Sequence, residues 1–266
     1  DERPRAGRSS TSTSRASPAT KSSTDRRERQ SARSARPLGR VEDVTFPSND
    51  GLTVHATLHR GPSSDTPAVV LVHQLGRDRR EWDALVERLH AGARLTVLAI
   101  DLRGHGASTR RADGRAIEWA RMATDDWRAI EGDVLAAVAF VRPGGRAGLA
   151  APRVAIVGSS IGSSAAIRAA VQDPAIVAVA ALSPGRAYRG VDAIEPLRRW
   201  GSRRLWILAT SRDAASAEAA HDMLRVVSRS DGRIVDGRAH GLAMTTEVPG
   251  LLDAITAFVR DALGVP

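Results

Sequence analysis

A chain of 266 residues without cysteine can bury the core of one large α/β domain, and it excludes disulfides, thiolate metal sites and a cysteine nucleophile. Its net charge of +9 resembles a nucleic-acid signal until it is mapped. Residues 1–40 hold eleven Lys/Arg against four Asp/Glu, a net +7, which leaves only +2 for everything after them.

That basic segment is built from Arg, Ser, Thr, Ala and Pro, with no aromatic residue before Phe46 and no apolar periodicity. Such a composition predicts a disordered tail over 1–40: a solvated linker or leader, or, as the alternative, a weak contact with a polyanion or cell envelope. Without aromatics to stack on bases, specific nucleic-acid binding is not expected. The chain starts at Asp1 rather than Met, and no apolar run reaches transmembrane length. The expectation is an exported or envelope-associated protein, with a cytoplasmic one as the alternative.

The folded pattern is expected over 41–266. It begins with VEDVTFPS and LTVHATLHR, two alternating segments around the turn Asn49-Asp50-Gly51, which read as a β-hairpin. AVVLVH (68–73), LTVLAIDL (95–102), RVAIVG (153–158), IVAVAALS (176–183), RLWILAT (204–210) and the weaker GRIVDG (232–237) follow. These runs are too apolar for strands with a solvated face and fit strands buried on both faces of a parallel sheet. Helix-period segments separate them, at 78–92, 117–142, 163–172, 214–228 and 248–260. The prediction is an α/β fold: eight strands, mostly parallel, with helices on both faces and antiparallel pairing at the hairpin edge.

In such a sheet the chemistry gathers at the carboxyl ends of the strands. Gly158-Ser159-Ser160-Ile161-Gly162 fits G-x-S-x-G between a strand and a helix, where a sharp turn lifts the central hydroxyl above the sheet and aims a helix amino end at it. Ser160 is the candidate nucleophile. Ser159, Ser163 and Ser164 read as small residues that pack closely or satisfy free amides at the helix start. A serine needs a base and the base an orienting carboxylate. His240, in DGRAHGLAM after the last strand, is the candidate base, and Asp213, in ATSRDAAS after RLWILAT, the candidate acid, with Asp236 and Asp192 as reserves. His221 reads as solvated and His90 as a partner for helix-terminal carbonyls. His55 and His59 share a strand face without a third ligand, so no metal site is expected.

The order Ser160, Asp213, His240 resembles that of the α/β-hydrolase superfamily, and two further stretches strengthen the likeness. AVVLVHQLGRD resembles the family's strand and histidine-containing turn, and AIDLRGHGAS its D-x-R-G-H-G-x-S segment. The resemblance runs from about Val41 to the end. It implies an oxyanion hole made by the backbone N–H groups of Ile161 and Leu75, bracing roles for His73, Asp101, Arg103 and His105, and no metal or organic cofactor. Family members usually carry glycine where Gln74 stands. Only about twenty residues separate the strands ending near Ser183 and beginning near Arg204, which leaves no room for a large cap and resembles the compact dienelactone-hydrolase-like branch, with serine in place of that branch's cysteine. The implied function is a serine hydrolase of carboxylic esters or related small acyl compounds. A serine peptidase or acyltransferase on the same fold, or a non-catalytic binding protein, are the alternatives.

Overall fold

The computed structural model describes residues 38–227 and 230–265. The tail expected over 1–40 thus falls almost wholly outside the described residues. Gly39 and Arg40 already pair with Arg60: Gly39 N–H donates to the Arg60 carbonyl and Arg60 N–H to the Arg40 carbonyl, both at 3.1 Å.

The hairpin forms as the alternation predicts, from β1 (Val41–Pro47) and β2 (Thr53–His59) in antiparallel register Val41 to His59. Its turn closes with Gly51 at φ +83°, a conformation that favours glycine. The apolar runs become β3 (Ala68–Val72), β4 (Thr96–Ile100), β5 (Val154–Ser159), β6 (Ile176–Leu182), β9 (Arg204–Thr210) and β10 (Ser230–Val235). Together with the hairpin they form one eight-stranded sheet in the order β1-β2-β4-β3-β5-β6-β9-β10, parallel from β4 onward.

Every residue of β3, β4 and β5 is buried, and successive side chains serve opposite layers. Ala68, Val70 and Val72 join the core shared with α3 (Ile130–Val141), α4 (Ile161–Ala170) and α5 (Ala214–Val226). Val69 and Leu71 join the second core, beneath the helical stretch that includes α1 (Asp83–Val86) and beneath α6 (Leu251–Leu263). Both faces are therefore covered, which is why these strands read as continuous apolar runs.

The helical pattern over 117–142 is one segment in sequence and three in space: a 3₁₀ turn (Trp119–Arg121), α2 (Thr124–Arg128) and α3. The Asp126 carboxylate accepts from Ala123 N–H at 3.1 Å, so α2 opens with its own cap instead of continuing the turn before it. Between β6 and β9 there is no inserted cap, only a small hairpin, β7 (Ala187–Tyr188) with β8 (Val191–Asp192), and a 3₁₀ turn at Glu195–Arg199. Among the described residues no helix is long and apolar enough to cross a membrane.

The strand order fixes where a site can form. From β3 the chain steps to β4 on one side, then returns to β5 on the other, so the connections leaving β3 and β5 diverge. The crevice at such a switch point lies between the segment after Val72 and the segment after Ser159.

Candidate active site

Ser160 stands at that crevice with φ +54° and ψ −119°, a left-handed conformation costing a non-glycine residue about 1–3 kcal/mol. The surroundings hold it there: its N–H donates to the Leu182 carbonyl at 2.8 Å and its carbonyl accepts from Ser163 N–H at 2.9 Å. The flanking glycines are needed for close approach, since neither has a positive φ. A Cβ on Gly158 would lie 2.6 Å from the Gly162 carbonyl oxygen, and one on Gly162 would lie 2.6 Å from the His73 carbonyl oxygen and overlap that of Val72. Of the neighbouring serines, Ser163 and Ser164 are buried and closely packed, and neither hydroxyl satisfies a free amide at the helix start. Ser163 Oγ lies 2.7 Å from the Gly158 carbonyl and Ser164 Oγ 3.3 Å from that of Gly185, so both hydroxyls donate to carbonyls.

Asp213 and His240 meet, with His240 Nδ1 2.5 Å from Asp213 Oδ2. Asp213 occupies the N-cap position of α5, where a carboxylate ordinarily accepts from its own helix. Here it makes no such bond and is left for the histidine. The pairing assigns the proton to Nδ1 and leaves Nε2 as the basic nitrogen. The His240 side chain is 44% exposed and that of Asp213 16%. The reserve acids are occupied elsewhere: Asp236 faces Ser211 and Arg212, and Asp192 accepts from Ile194 N–H at 2.8 Å. No hydrogen bond joins the Ser160 hydroxyl to the His240 ring among the described residues, but the segments carrying them touch close by, where Leu242 N–H, two residues after His240, donates to the Oγ of Ser159, one before Ser160, at 3.2 Å.

The loop holding His240 is pinned through its backbone. Glu247 accepts from Arg238 N–H at 2.7 Å and Ala239 N–H at 2.9 Å, Thr210 Oγ1 donates to the Ala239 carbonyl at 2.8 Å, and Ser183 Oγ accepts from Gly241 N–H at 2.9 Å. Sequence reasoning named none of these residues for this work. Ser183 carries one signal visible only in space, a φ of +46° at a buried non-glycine position directly after β6.

The turn after β3 is held just as closely. Gln74 N–H donates to Glu81 Oε2 at 2.9 Å, and the Gln74 carbonyl accepts from His73 Nδ1 at 2.7 Å, which holds the residue immediately before Leu75 at both its N–H and its carbonyl. Burial pushes the Glu81 carboxyl above its usual range. Neither Leu75 N–H nor Ile161 N–H donates to a protein group among the described residues. Two amides without partners thus stand at the ends of the two strands that flank the crevice.

Residues 69–263 match the alpha/beta hydrolase family. The chain belongs to that family. Two uncharacterized mycobacterial proteins resemble it in sequence, one from Mycobacterium tuberculosis at 30% identity over 174 residues (64% of this chain, 55% of that protein), the other from Mycobacterium bovis at 32% over 144 residues (53% and 36%). The chain therefore spans about half, or less, of the curated relatives it matches. Among solved structures, an esterase of Pyrococcus furiosus aligns with a TM-score of 0.67 at 16% identity, covering 85% of this chain and 93% of that one. A dienelactone hydrolase of Anabaena variabilis aligns with a TM-score of 0.59 at 18% identity, covering 85% and 98%. At such identities the likeness is one of fold.

The family's other polar segments are braces in this chain. His73 is fully buried with both ring nitrogens engaged, Nδ1 donating to Gln74 and Nε2 accepting from Leu102 N–H at 3.0 Å; burial holds its pKa down at about 4. Asp101 accepts from Arg79 and from Ala107 N–H at 2.8 Å. Arg103 lies fully buried between Asp133 and Asp50, and His105 stacks on Trp119 with ring centroids 5.6 Å apart. His90 bonds the Leu95 carbonyl beyond its helical stretch at 3.2 Å, and His221 is exposed on α5 as expected. His59 neighbours His90, with ring centroids 5.4 Å apart. Among the described residues no three His, Asp or Glu side chains converge as a metal site requires.

Proposed function

We propose that this chain is a serine hydrolase of carboxylic esters or related small acyl compounds, with Ser160 as nucleophile, His240 as general base, Asp213 as its orienting acid, and the N–H groups of Ile161 and Leu75 as the oxyanion hole. The observation that carries the reading is the His240 to Asp213 hydrogen bond, made on a loop that is tied to the residue immediately before Ser160.

In this reading the Ser160 oxygen attacks the carbonyl carbon of the bound ester as His240 Nε2 takes the hydroxyl proton. The carbonyl electrons move onto oxygen, where the two amides stabilise the tetrahedral anion, and Asp213 stabilises the imidazolium. The imidazolium returns its proton to the departing alcohol, leaving an acyl group on Ser160. Water, deprotonated by the same nitrogen, then attacks the acyl carbon and releases the acid. The Ser160 backbone conformation and the pinned Gln74 peptide support the arrangement because they are set before substrate arrives, so little reorganisation remains in the transition state.

Turnover of p-nitrophenyl esters of increasing chain length, run beside aminoacyl amides, tests the reading. Ester hydrolysis abolished by Ser160→Ala supports it; activity that survives this change, or that is confined to amides, removes it.

A further inference from the structure

Three functional segments converge on one buried hydroxyl. Ser159, the last residue of β5, is fully buried; its Oγ accepts from Leu242 N–H at 3.2 Å and donates to Gln74 Oε1 at 3.3 Å. Each of these contacts sits beside a residue of the proposed chemistry: Ser159 next to Ser160, Gln74 next to Leu75, and Leu242 two positions after His240.

A serine hydroxyl has one proton and two lone pairs. Here one lone pair takes Leu242 N–H and the proton is directed at Gln74 Oε1, which leaves the carboxamide NH₂ away from Ser159. The space is tightly determined. Gly241 lies between His240 and Leu242 with φ +60°, and a Cβ there would overlap both Gln74 Oε1 and Ser159 Oγ. The base loop reaches the hydroxyl only because this residue has no side chain. From the other side Ser183 Oγ takes Gly241 N–H at 2.9 Å, so two successive amides of the loop are held by two hydroxyls on adjacent strand ends.

We propose that Ser159 and Gln74 form a positioning latch that sets the His240 loop against the nucleophile turn and the Leu75 turn. It deepens, and rests on, the serine-hydrolase reading above. Neither residue touches the reacting atoms in this scheme. Each acts by fixing where His240 Nε2 stands relative to Ser160, a placement in which an error near 1 Å costs about 100-fold in rate.

The test uses the full chain with Ser159→Ala, Gln74→Ala, both together, and Gln74→Glu, which keeps an acceptor oxygen for Ser159. With p-nitrophenyl acetate, each alanine variant is expected to lower kcat by roughly 10- to 100-fold with KM within about twofold, because the loss is one of geometry and not of binding. The double variant should be no worse than the poorer single one, as expected of two residues acting through one bond, and Gln74→Glu should recover most of the lost kcat. A folded Ser159→Ala chain with wild-type kcat, or losses that multiply in the double variant, would overturn the latch. If Ser159→Ala does not fold, the half-buried Gln74→Ala against Gln74→Glu decides by the same criterion.

A readout independent of turnover separates this idea from the one it rests on. In a Ser160→Ala background, amide hydrogen exchange of the Gly241 to Leu242 segment should quicken by about tenfold or more on adding Gln74→Ala. Unchanged exchange overturns the latch. A wild-type chain that turns over no acyl substrate overturns the hydrolase reading and leaves the exchange result standing.

Discussion

His73 and His240 both follow strands of the same sheet, both have aspartates nearby, and by residue type either could be a base. What separates them is how their lone pairs are used. His73 spends both ring nitrogens on the backbone, with Nε2 accepting from Leu102 N–H, so it has nothing left to offer a substrate. His240 spends only Nδ1, on Asp213, and its ring is partly exposed. The same contrast holds for the carboxylates. Asp101 is fully buried and filled by Arg79 and Ala107, whereas Asp213 leaves its own helix uncapped to reach the histidine. In the brace, His73, Asp101 and Arg103 are each held by permanent partners. In the loop around His240 the backbone is pinned on both sides of the histidine and Nε2 is kept in reserve.

Removing Ser160 should break the comparison most sharply. Ser160→Ala is expected to lower kcat on p-nitrophenyl esters by about 10⁴-fold or more while the thermal midpoint stays within a few degrees, checked by steady-state kinetics and calorimetry. Asp213→Asn, which keeps the shape but favours the wrong histidine tautomer, should cost about 10³- to 10⁴-fold in kcat with little loss of stability, measured the same way.

The brace should fail in the opposite currency. Arg103→Met leaves Asp133 buried without its counterion, which is expected to cost about 3–5 kcal/mol in urea unfolding, with kcat per folded molecule changed far less. Burial already pushes the Asp133 carboxyl above its usual range in the presence of Arg103.

The smallest effect is a pH dependence. His73 has its pKa lowered from 6.5 to about 4 in the folded chain, so between these values the unfolded state binds the extra proton. Its contribution, on the order of 3 kcal/mol, is fully present above the unfolded value and is lost as pH falls from there to about 4. The raised carboxyls of Glu81 and Asp133 act with the opposite sign, gaining stability as they protonate. The His73 part is therefore read as the difference between wild type and His73→Asn, which keeps a donor for the Gln74 carbonyl but does not titrate. The variant should lose less stability than wild type between pH 7 and pH 4.5.

Much of this was legible in the sequence because it depends on local pattern. The apolar runs of β3 to β6 and β9 are continuous since both faces of the sheet are covered, and the order of Ser160, Asp213 and His240 follows the order of the strands that carry them. Helix continuity over 117–142 was not legible. The period is unbroken through Met122 and Ala123, and the interruption depends on a side-chain bond from Asp126 that periodicity does not register. The roles of Gly158 and Gly162 were legible only in part: the motif marks them as necessary, but the reason is the approach of backbone from β3 and α4, not their own torsion angles. Ser159, Gln74, Ser183, Thr210 and Glu247 are ordinary residues in sequence. Their work arises from pairings across 8 to 85 positions of chain, which no local pattern carries.

The proposed chemistry requires Ser160 to carry the oxygen that His240 activates. Mass spectrometric mapping of a fluorophosphonate adduct tests this most directly, on the wild-type chain and on His240→Ala. A single adduct on Ser160 in wild type, formed at least about 100-fold more slowly in His240→Ala, is the predicted result. An adduct on another residue, or labelling of Ser160 at an undiminished rate without His240, would contradict it.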